Sequence, residues 1–112
     1  MIADKVRDLV SSNAVVIFSK NNCVYCSRVQ EYLQTTVGVP PSDMMKLNVE
    51  EAWDEDDMFE LMDITGRSSF PVVFVGGELI GGYKEVVNMY QFDLEKLSTL
   101  LQSRGVNISD NF

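Results

Sequence analysis

The stretch AVVIFSKNNCVYCSRV, residues 14–29, contains the only two cysteines of the chain, Cys23 and Cys26. It begins with AVVIF, an apolar and β-branched run that is typical of a buried strand. The residues after this run place Cys26, Val29 and Leu33 on one face of a helix. The cysteine pair therefore lies between a predicted strand and a predicted helix, with Cys23 where the helix begins.

Helix and strand patterns alternate along the rest of the sequence. A strand–helix–strand order favours a parallel strand pair with a right-handed crossover, and two apolar runs around Gly76-Gly77 predict an antiparallel hairpin. Together they predict an α/β fold over residues 1–112, as a single domain with a four-stranded mixed sheet and helices on both faces. The predicted elements are a helix ending near 11–13, strands at 14–18 and 44–49, helices closed by Gly38 and Gly66, a hairpin of 71–75 with 78–80, a helix from Tyr83, and a last helix with Asp93 as its N-cap.

The composition excludes several classes of function. The chain carries 17 acidic and 9 basic residues, a net charge of −8, and no histidine. Such a surface disfavours nucleic-acid binding, which relies on cationic patches, and the missing histidine excludes Ser-His-Asp and Cys-His catalytic sites. No run approaches the roughly 20 apolar residues of a membrane span, and four charges in the first ten residues do not fit a signal peptide. We therefore expect a cytoplasmic protein with no membrane or nucleic-acid partner.

Much of the negative charge lies in EEAWDEDDMFELMD, residues 50–63. One interpretation is a solvated helix face whose acidic beginning lies near the positive end of the helix dipole. The other is a docking patch for a basic partner. The sequence leaves both open.

The two cysteines admit four interpretations: a structural disulfide, half of a zinc site, two unreactive thiols, or a redox pair. Closing a loop of about four residues gives a disulfide only about 2 kcal/mol of stabilisation, and the cytosol keeps such bonds reduced. A structural zinc needs four ligands, and two cysteines supply half of them. Unreactive thiols and a redox pair remain.

The position of the pair favours redox chemistry. Cys23 lies at a predicted helix N-terminus, where unpaired N–H groups and the dipole stabilise a thiolate, and Lys20 adds a cation upstream. Cys26 lies one turn further in, on the apolar face. One accessible nucleophile with one protected partner suits thiol–disulfide exchange.

Two motifs resemble those of dithiol glutaredoxins. KNNCVYC, residues 20–26, resembles their Lys-x-x-Cys-Pro-Tyr-Cys site, with Val24 where proline is usual. TGRSSFPVVFVGGELIGGY, residues 65–83, is similar to their second signature, with Ser69-Phe70-Pro71 in place of Thr-Val-Pro. The resemblance implies a thioredoxin-like fold and a glutathione-dependent thiol–disulfide oxidoreductase that reduces protein disulfides and glutathionyl mixed disulfides. It implies that Cys23 is the catalytic nucleophile and Cys26 the resolving thiol.

The resemblance also implies a glutathione site. A cis Phe70–Pro71 bond would free the backbone of Phe70 to pair with the peptide, and the helix start after Gly82 would bind its γ-glutamyl carboxylate. Arg67 lies one position before the family's frequent arginine, so it is either a weaker ligand or a surface charge. The implied glutathione-binding residues are Lys20, Tyr25, Ser69, Phe70, Pro71, Gly82, Tyr83, and Lys84 with Glu85, which depart from the family's usual residues.

Two alternatives remain beside this reading. Some glutaredoxins bind a [2Fe–2S] cluster, which here would be bridged by two Cys23 thiolates and two glutathiones in a dimer, and Val24 in place of the rigid proline would loosen the turn enough to permit it. Otherwise no metal is expected, and the chain is expected to be a monomer unless a cluster bridges two copies. The second alternative is a thioredoxin-like disulfide reductase.

Overall fold

The computed structural model describes residues 1–108, so the last four residues of the predicted domain lie outside it. Within this range no helix is long and apolar enough to cross a membrane. Its helices are α1 (Ile2–Ser12), α2 (Val24–Glu31, continued by a π-helical turn at Tyr32–Val37), α3 (Val49–Ala52), α4 (Glu55–Thr65), α5 (Tyr83–Phe92) and α6 (Leu94–Gln102), with a short 3₁₀ turn at Pro41–Asp43. Its strands are β1 (Val15–Ser19), β2 (Met44–Asn48), β3 (Val72–Val75) and β4 (Glu78–Gly81).

The four strands form one sheet in the order β2-β1-β3-β4. β1 pairs with β2 in parallel, with Val15 opposite Met44. It pairs with β3 in antiparallel, with Val15 opposite Val75, and β3 pairs with β4 in antiparallel. The predicted parallel crossover, hairpin and mixed sheet are confirmed.

Alternation along β1 divides the apolar residues between two cores. Val15 and Ile17 pack with residues of α2, α5 and α6 on one face of the sheet. Val16 and Phe18 pack with residues of α1, α3 and α4 on the other face. All four side chains are fully buried because helices cover both faces. The predicted two-sided α/β fold is confirmed, and it leaves the ends of β1 and α2 to form the site.

Several details differ from the sequence-based expectation, including one-residue shifts at the ends of β1 and β4. Val49 begins α3 rather than ending β2, because the Asn48 side chain accepts the backbone N–H of Glu50 and caps a new helix. Pro71 precedes β3 and does not belong to it. Asp93 occupies the N-cap position of α6, but its side chain makes no capping hydrogen bond.

The hairpin turn requires its two glycines. Gly76 and Gly77 have φ of 58° and 82°, in the left-handed region that a two-residue hairpin turn uses. A Cβ on Gly76 would also lie 2.5 Å from the Leu100 carbonyl oxygen of α6. The predicted two-glycine turn is confirmed.

Candidate active site

Cys23 caps helix α2. Its backbone is extended, and α2 begins at the next residue, Val24. The backbone N–H of Cys26 donates to Sγ of Cys23 over 3.2 Å. The helix start thus aims an N–H at this sulfur, an arrangement that stabilises a thiolate once the cysteine is reduced. The predicted position of Cys23 at a helix N-terminus is confirmed.

The two cysteines are joined by a disulfide and differ in exposure. Cys26 is 1% exposed, whereas Cys23 is half-buried. A partner thiol or disulfide can therefore approach Cys23 more easily than Cys26. This is the asymmetry that thiol–disulfide exchange uses.

Hydrogen bonds brace the loop that precedes Cys23. The backbone N–H of Asn21 donates to Oε1 of Glu50 over 2.9 Å. The Nδ2 group of Asn48 donates to Oδ1 of Asn21 over 2.8 Å. These bonds tie the loop to β2 and α3. Sequence reasoning missed them, because asparagines near a strand end are ordinary loop residues and give no distinct signal.

A groove of about 440 Å³, which we call the first groove, adjoins the cysteine turn. Arg67, Val87 and Asn88 form part of its lining. The rest consists of eight of the nine residues expected to bind glutathione: Tyr25, Ser69, Phe70, Pro71, Gly82, Tyr83, Lys84 and Glu85. The structure therefore brings Tyr25 of α2 together with the turn before β3 and the start of α5, which both lie more than 40 positions further along the chain.

A turn and two tyrosines form part of the first groove, and Tyr32 packs against one of these tyrosines. The Phe70–Pro71 peptide bond is cis. The ring centroids of Tyr25 and Tyr83 lie 5.5 Å apart, and Tyr32 packs edge-on against Tyr83 at 6.1 Å. Burial raises the pKa of Tyr32 above its ordinary value of 10.0, and the neighbouring tyrosines add to this rise. Tyr32 therefore stays neutral around physiological pH.

An ion pair lies in the first groove. Nη1 of Arg67 donates to Oε1 of Glu85 over 3.1 Å, and the same oxygen accepts the backbone N–H of Gly82 over 2.7 Å. Only 28% of the Arg67 side chain is exposed. Arg67 is therefore part of the groove and not a plain surface charge, and Glu85 is already engaged by two donors.

A second groove, of about 640 Å³, is polar and contains both cysteines in its lining. Lys20 lines this second groove and not the first, which separates it from the other expected glutathione ligands. Lys46 and Glu51 also line it, so its charges are mixed. The cysteine turn therefore borders both grooves, because Tyr25 lines the first groove whereas Val24 and Cys26 line the second.

Metal-binding residues do not cluster in the described part of the chain. Within residues 1–108, no group of three or more histidine, cysteine, aspartate or glutamate side chains could hold a metal ion. A cluster bridged by Cys23 from each of two chains would need only one thiolate per chain. That alternative stays a prediction.

Comparisons with known proteins agree with this geometry. The family model described as Glutaredoxin matches residues 15–80. Glutaredoxin-C2 of Arabidopsis thaliana is 36% identical over 109 residues, which cover 94% of this chain and 90% of that protein. A glutaredoxin of Vernicia fordii is 35% identical over 102 residues, covering 90% of this chain and 92% of the relative.

Solved structures of glutaredoxins share the fold. The buckwheat glutaredoxin–glutathione complex is 32% identical, with a TM-score of 0.76 and coverage of 96% of this chain and 93% of that one. The holo form of glutaredoxin C1 from Populus tremula x tremuloides is 35% identical, with a TM-score of 0.72 and coverage of 96% and 94%. Since the family match includes the cysteine turn and the relatives align along nearly the whole chain, this protein belongs to the glutaredoxin family of thiol–disulfide oxidoreductases, with a thioredoxin-like fold.

Proposed function

We propose that this glutaredoxin takes its electrons from glutathione, with Cys23 as the nucleophile and Cys26 as the resolving thiol. The observation that carries the proposal is the hydrogen bond from the Cys26 N–H to Sγ of Cys23 at the start of α2, beside the first groove. The similarity to a glutaredoxin solved with glutathione supports the choice of donor.

The proposed reaction on mixed disulfides has two exchanges. The Cys23 thiolate attacks the glutathione sulfur of a glutathionylated protein, and the protein thiolate leaves and takes up a proton. A second glutathione thiolate then attacks the glutathione sulfur held on Cys23. Oxidised glutathione leaves and the Cys23 thiolate returns. Both exchanges take place at the accessible Cys23 sulfur, whose thiolate is the nucleophile in the first and the leaving group in the second.

The proposed reaction on protein disulfides uses both cysteines. The Cys23 thiolate attacks one sulfur of the disulfide and forms a mixed disulfide with the protein. The Cys26 thiolate attacks the Cys23 sulfur, releases the reduced protein and leaves the Cys23–Cys26 disulfide that the structure contains. Two glutathione molecules then reduce this bond in two exchanges.

The first groove suits a short acidic peptide. The turn at Phe70–Pro71 offers the backbone of Phe70 as a partner for an extended chain. The start of α5 at Tyr83 supplies N–H groups, and the exposed Lys84 adds a cation for the γ-glutamyl carboxylate. We assign Lys20, across the turn, to the glycyl carboxylate and to the Cys23 thiolate. Ser69 and Tyr25 would flank the ligand.

The decisive experiment is a coupled assay with a glutathionylated substrate and a disulfide substrate. Cys23→Ser should abolish both activities, because it removes the nucleophile. Cys26→Ser should keep deglutathionylation and lose protein-disulfide reduction. A Ser27→Ala variant is the control for a small change in the same turn and should behave as wild type. Full activity of purified Cys23→Ser would refute the assignment.

The choice of electron donor is tested separately. Replacing glutathione and glutathione reductase by a thioredoxin reductase should leave the wild-type protein without turnover. Comparable rates with the two donors would favour the thioredoxin-like reading instead.

A further inference from the structure

The α3–α4 notch is a cavity of about 340 Å³ next to the active site, lined by Val49, Glu50, Trp53, Asp54, Glu55 and Met58. Val49 is fully buried, Trp53 and Met58 are half-buried, and the three carboxylate residues are exposed. The notch therefore has an apolar floor and an acidic rim. Its volume lies at the small end of ligand pockets, which is suitable for one long side chain.

The apolar surface continues along α4. Phe59 is 57% exposed and lies four residues after Glu55, so both lie on one face of the helix. Trp53, the only tryptophan of the chain, packs its ring 5.5 Å from that of Phe18. The ring is thus held in place while part of it faces the notch. Trp53 ends α3 and Phe59 lies on the next helix, and such aromatic side chains are typical of a protein-binding surface.

Within residues 1–108, the negative charge around the notch is not neutralised by a cationic side chain. Residues 50–63 contain eight acidic residues and no basic one. Across residues 1–108, the ion pairs use Asp4, Glu78 and Glu85 and none of these eight. The helix dipole accounts for the acidic first turn of α4 but not for acidic residues in its later turns. A cationic partner would relieve this repulsion.

The notch is coupled to the cysteine loop through α3. Glu50 lines the notch and accepts the Asn21 backbone N–H over 2.9 Å, two residues before Cys23. Its neighbour Glu51 lines the second groove together with both cysteines. A polypeptide seated on the notch therefore lies beside the groove that leads to the reactive sulfur.

We propose that the α3–α4 notch binds an arginine or lysine side chain from a cationic segment of the disulfide-bearing proteins on which this glutaredoxin acts. That the partner is a substrate rests on the function proposed above. The apolar stem of the side chain lies against Trp53 and Met58, and its cationic head lies by Glu55 and over the indole ring. Neighbouring cations of the segment face the remaining carboxylates of α4.

Binding is tested with the intrinsic fluorescence of Trp53. The probe is a short synthetic peptide containing Arg-Leu-Arg-Arg, and its counterpart has glutamine at each arginine. The wild-type protein in its disulfide form should show a saturable change with the arginine peptide alone, and the change should weaken at high salt. Absence of a saturable change would overturn the proposal.

Two charge-reversal variants distinguish binding at the notch from a general effect of the protein's net charge. Glu55→Lys should weaken binding of the arginine peptide about fivefold. Glu95→Lys is the matched control, because it makes the same charge change in the first turn of α6. It should leave the affinity near that of wild type. Equal weakening by both variants would show a general charge effect and would overturn the notch as the site.

Catalysis then tests whether the partner is a substrate. The two peptides, each extended by a glutathionylated cysteine, are compared with a small glutathionylated thiol. Wild type should have a lower KM for the arginine peptide, and Glu55→Lys should remove this difference without changing turnover of the small thiol. Equal KM values of wild type for both peptides would overturn the proposal. No turnover of any of the three, with peptide binding intact, would overturn the proposed function instead.

Discussion

Nη1 of Arg67 lies 3.1 Å from Oε1 of Glu85, and this ion pair joins the segment before β3 to the start of α5. The same oxygen accepts the backbone N–H of Gly82 over 2.7 Å. Gly82 is buried, and the Glu85 carboxylate is the acceptor that satisfies its N–H. Glu85 therefore holds both sides of the first groove, one through a charge and the other through a hydrogen bond.

Two substitutions at Glu85 should separate these roles. Glu85→Ala leaves the Gly82 N–H without an acceptor and should lower the free energy of unfolding by about 1–2 kcal/mol. Glu85→Gln keeps an amide oxygen for Gly82 and loses only a partly exposed ion pair, so it should cost less than about 1 kcal/mol. Urea unfolding measures both. Equal losses would mean that the charge, and not the acceptor, holds α5.

Arg67 should contribute to glutathione binding. Its Nη1 serves Glu85, while its Nε is buried and has no hydrogen-bond partner within residues 1–108. Since Arg67 lines the first groove, the guanidinium donors that Glu85 does not use remain for a carboxylate of the ligand. We expect Arg67→Gln to raise the KM for glutathione about fivefold, with a smaller effect on kcat.

Arg7→Gln is the matched control for Arg67. Arg7 also pairs with a carboxylate, Asp4, but it lies exposed on α1 outside the first groove. Initial rates at varied glutathione concentration should be those of wild type for this variant. A KM for Arg67→Gln equal to that of Arg7→Gln would assign Arg67 a structural role only.

Tyr32 should make stability depend on alkaline pH. Burial, with smaller contributions from Tyr90 and Tyr83, raises its pKa in the folded state. The stability that Tyr32 contributes is therefore fully present below its unfolded-state pKa of about 10. This stability is lost as the pH rises through the folded-state pKa. Tyr32→Phe should flatten the fall in unfolding free energy between about pH 10 and the higher folded-state pKa. An unchanged pH slope in Tyr32→Phe would contradict this assignment to Tyr32.

The sheet could be predicted from sequence because its central strands are almost wholly apolar. β1 is buried at every residue, and β3 carries the same type of run beside a two-glycine turn. Helix α3 could not be predicted in the same way. It has four residues, too few for a periodic pattern, and it exists because the Asn48 side chain caps it at the end of β2.

The site residues that belong to a local sequence motif could be predicted. The contacts between residues that are far apart in sequence could not. The cysteine turn and the second motif identified both cysteines and most of the first-groove lining. The Arg67–Glu85 contact joins residues 18 positions apart, and the bond between Asn21 and Glu50 joins residues 29 positions apart. Neither pair leaves a spacing signal, because each depends on how α3 and α5 pack beside the loops.

Val24 is the position where this chain departs from the proline of the family motif. It is the first residue of α2 and is 62% exposed. Cys23 before it has φ −109° and ψ 100°, the extended conformation that a following proline requires. Proline is favoured at the first position of a helix, where the backbone N–H has no intrahelical partner. The native backbone can therefore accept proline at this position.

Val24→Pro should stabilise the protein. A proline that fits the native backbone reduces the freedom of the unfolded chain, which is worth about 0.4–1 kcal/mol. The free energy of unfolding of the reduced protein, measured in urea, should rise by this amount, whereas Val24→Ala should give no such gain. A loss of stability in Val24→Pro would show that the turn at Cys23 is not preorganised for proline.

The same variant tests whether the stiffness of this turn controls cluster binding. The deglutathionylation proposed above would use the accessible sulfur of Cys23, whose backbone conformation proline preserves, so the rate of this reaction should match wild type. Ligation of a [2Fe–2S] cluster between two chains would require the turn to adjust, so iron and sulfide incorporation after anaerobic reconstitution should fall below wild type. Equal incorporation in both proteins would contradict a role for Val24, and no visible absorbance in either would remove the cluster alternative.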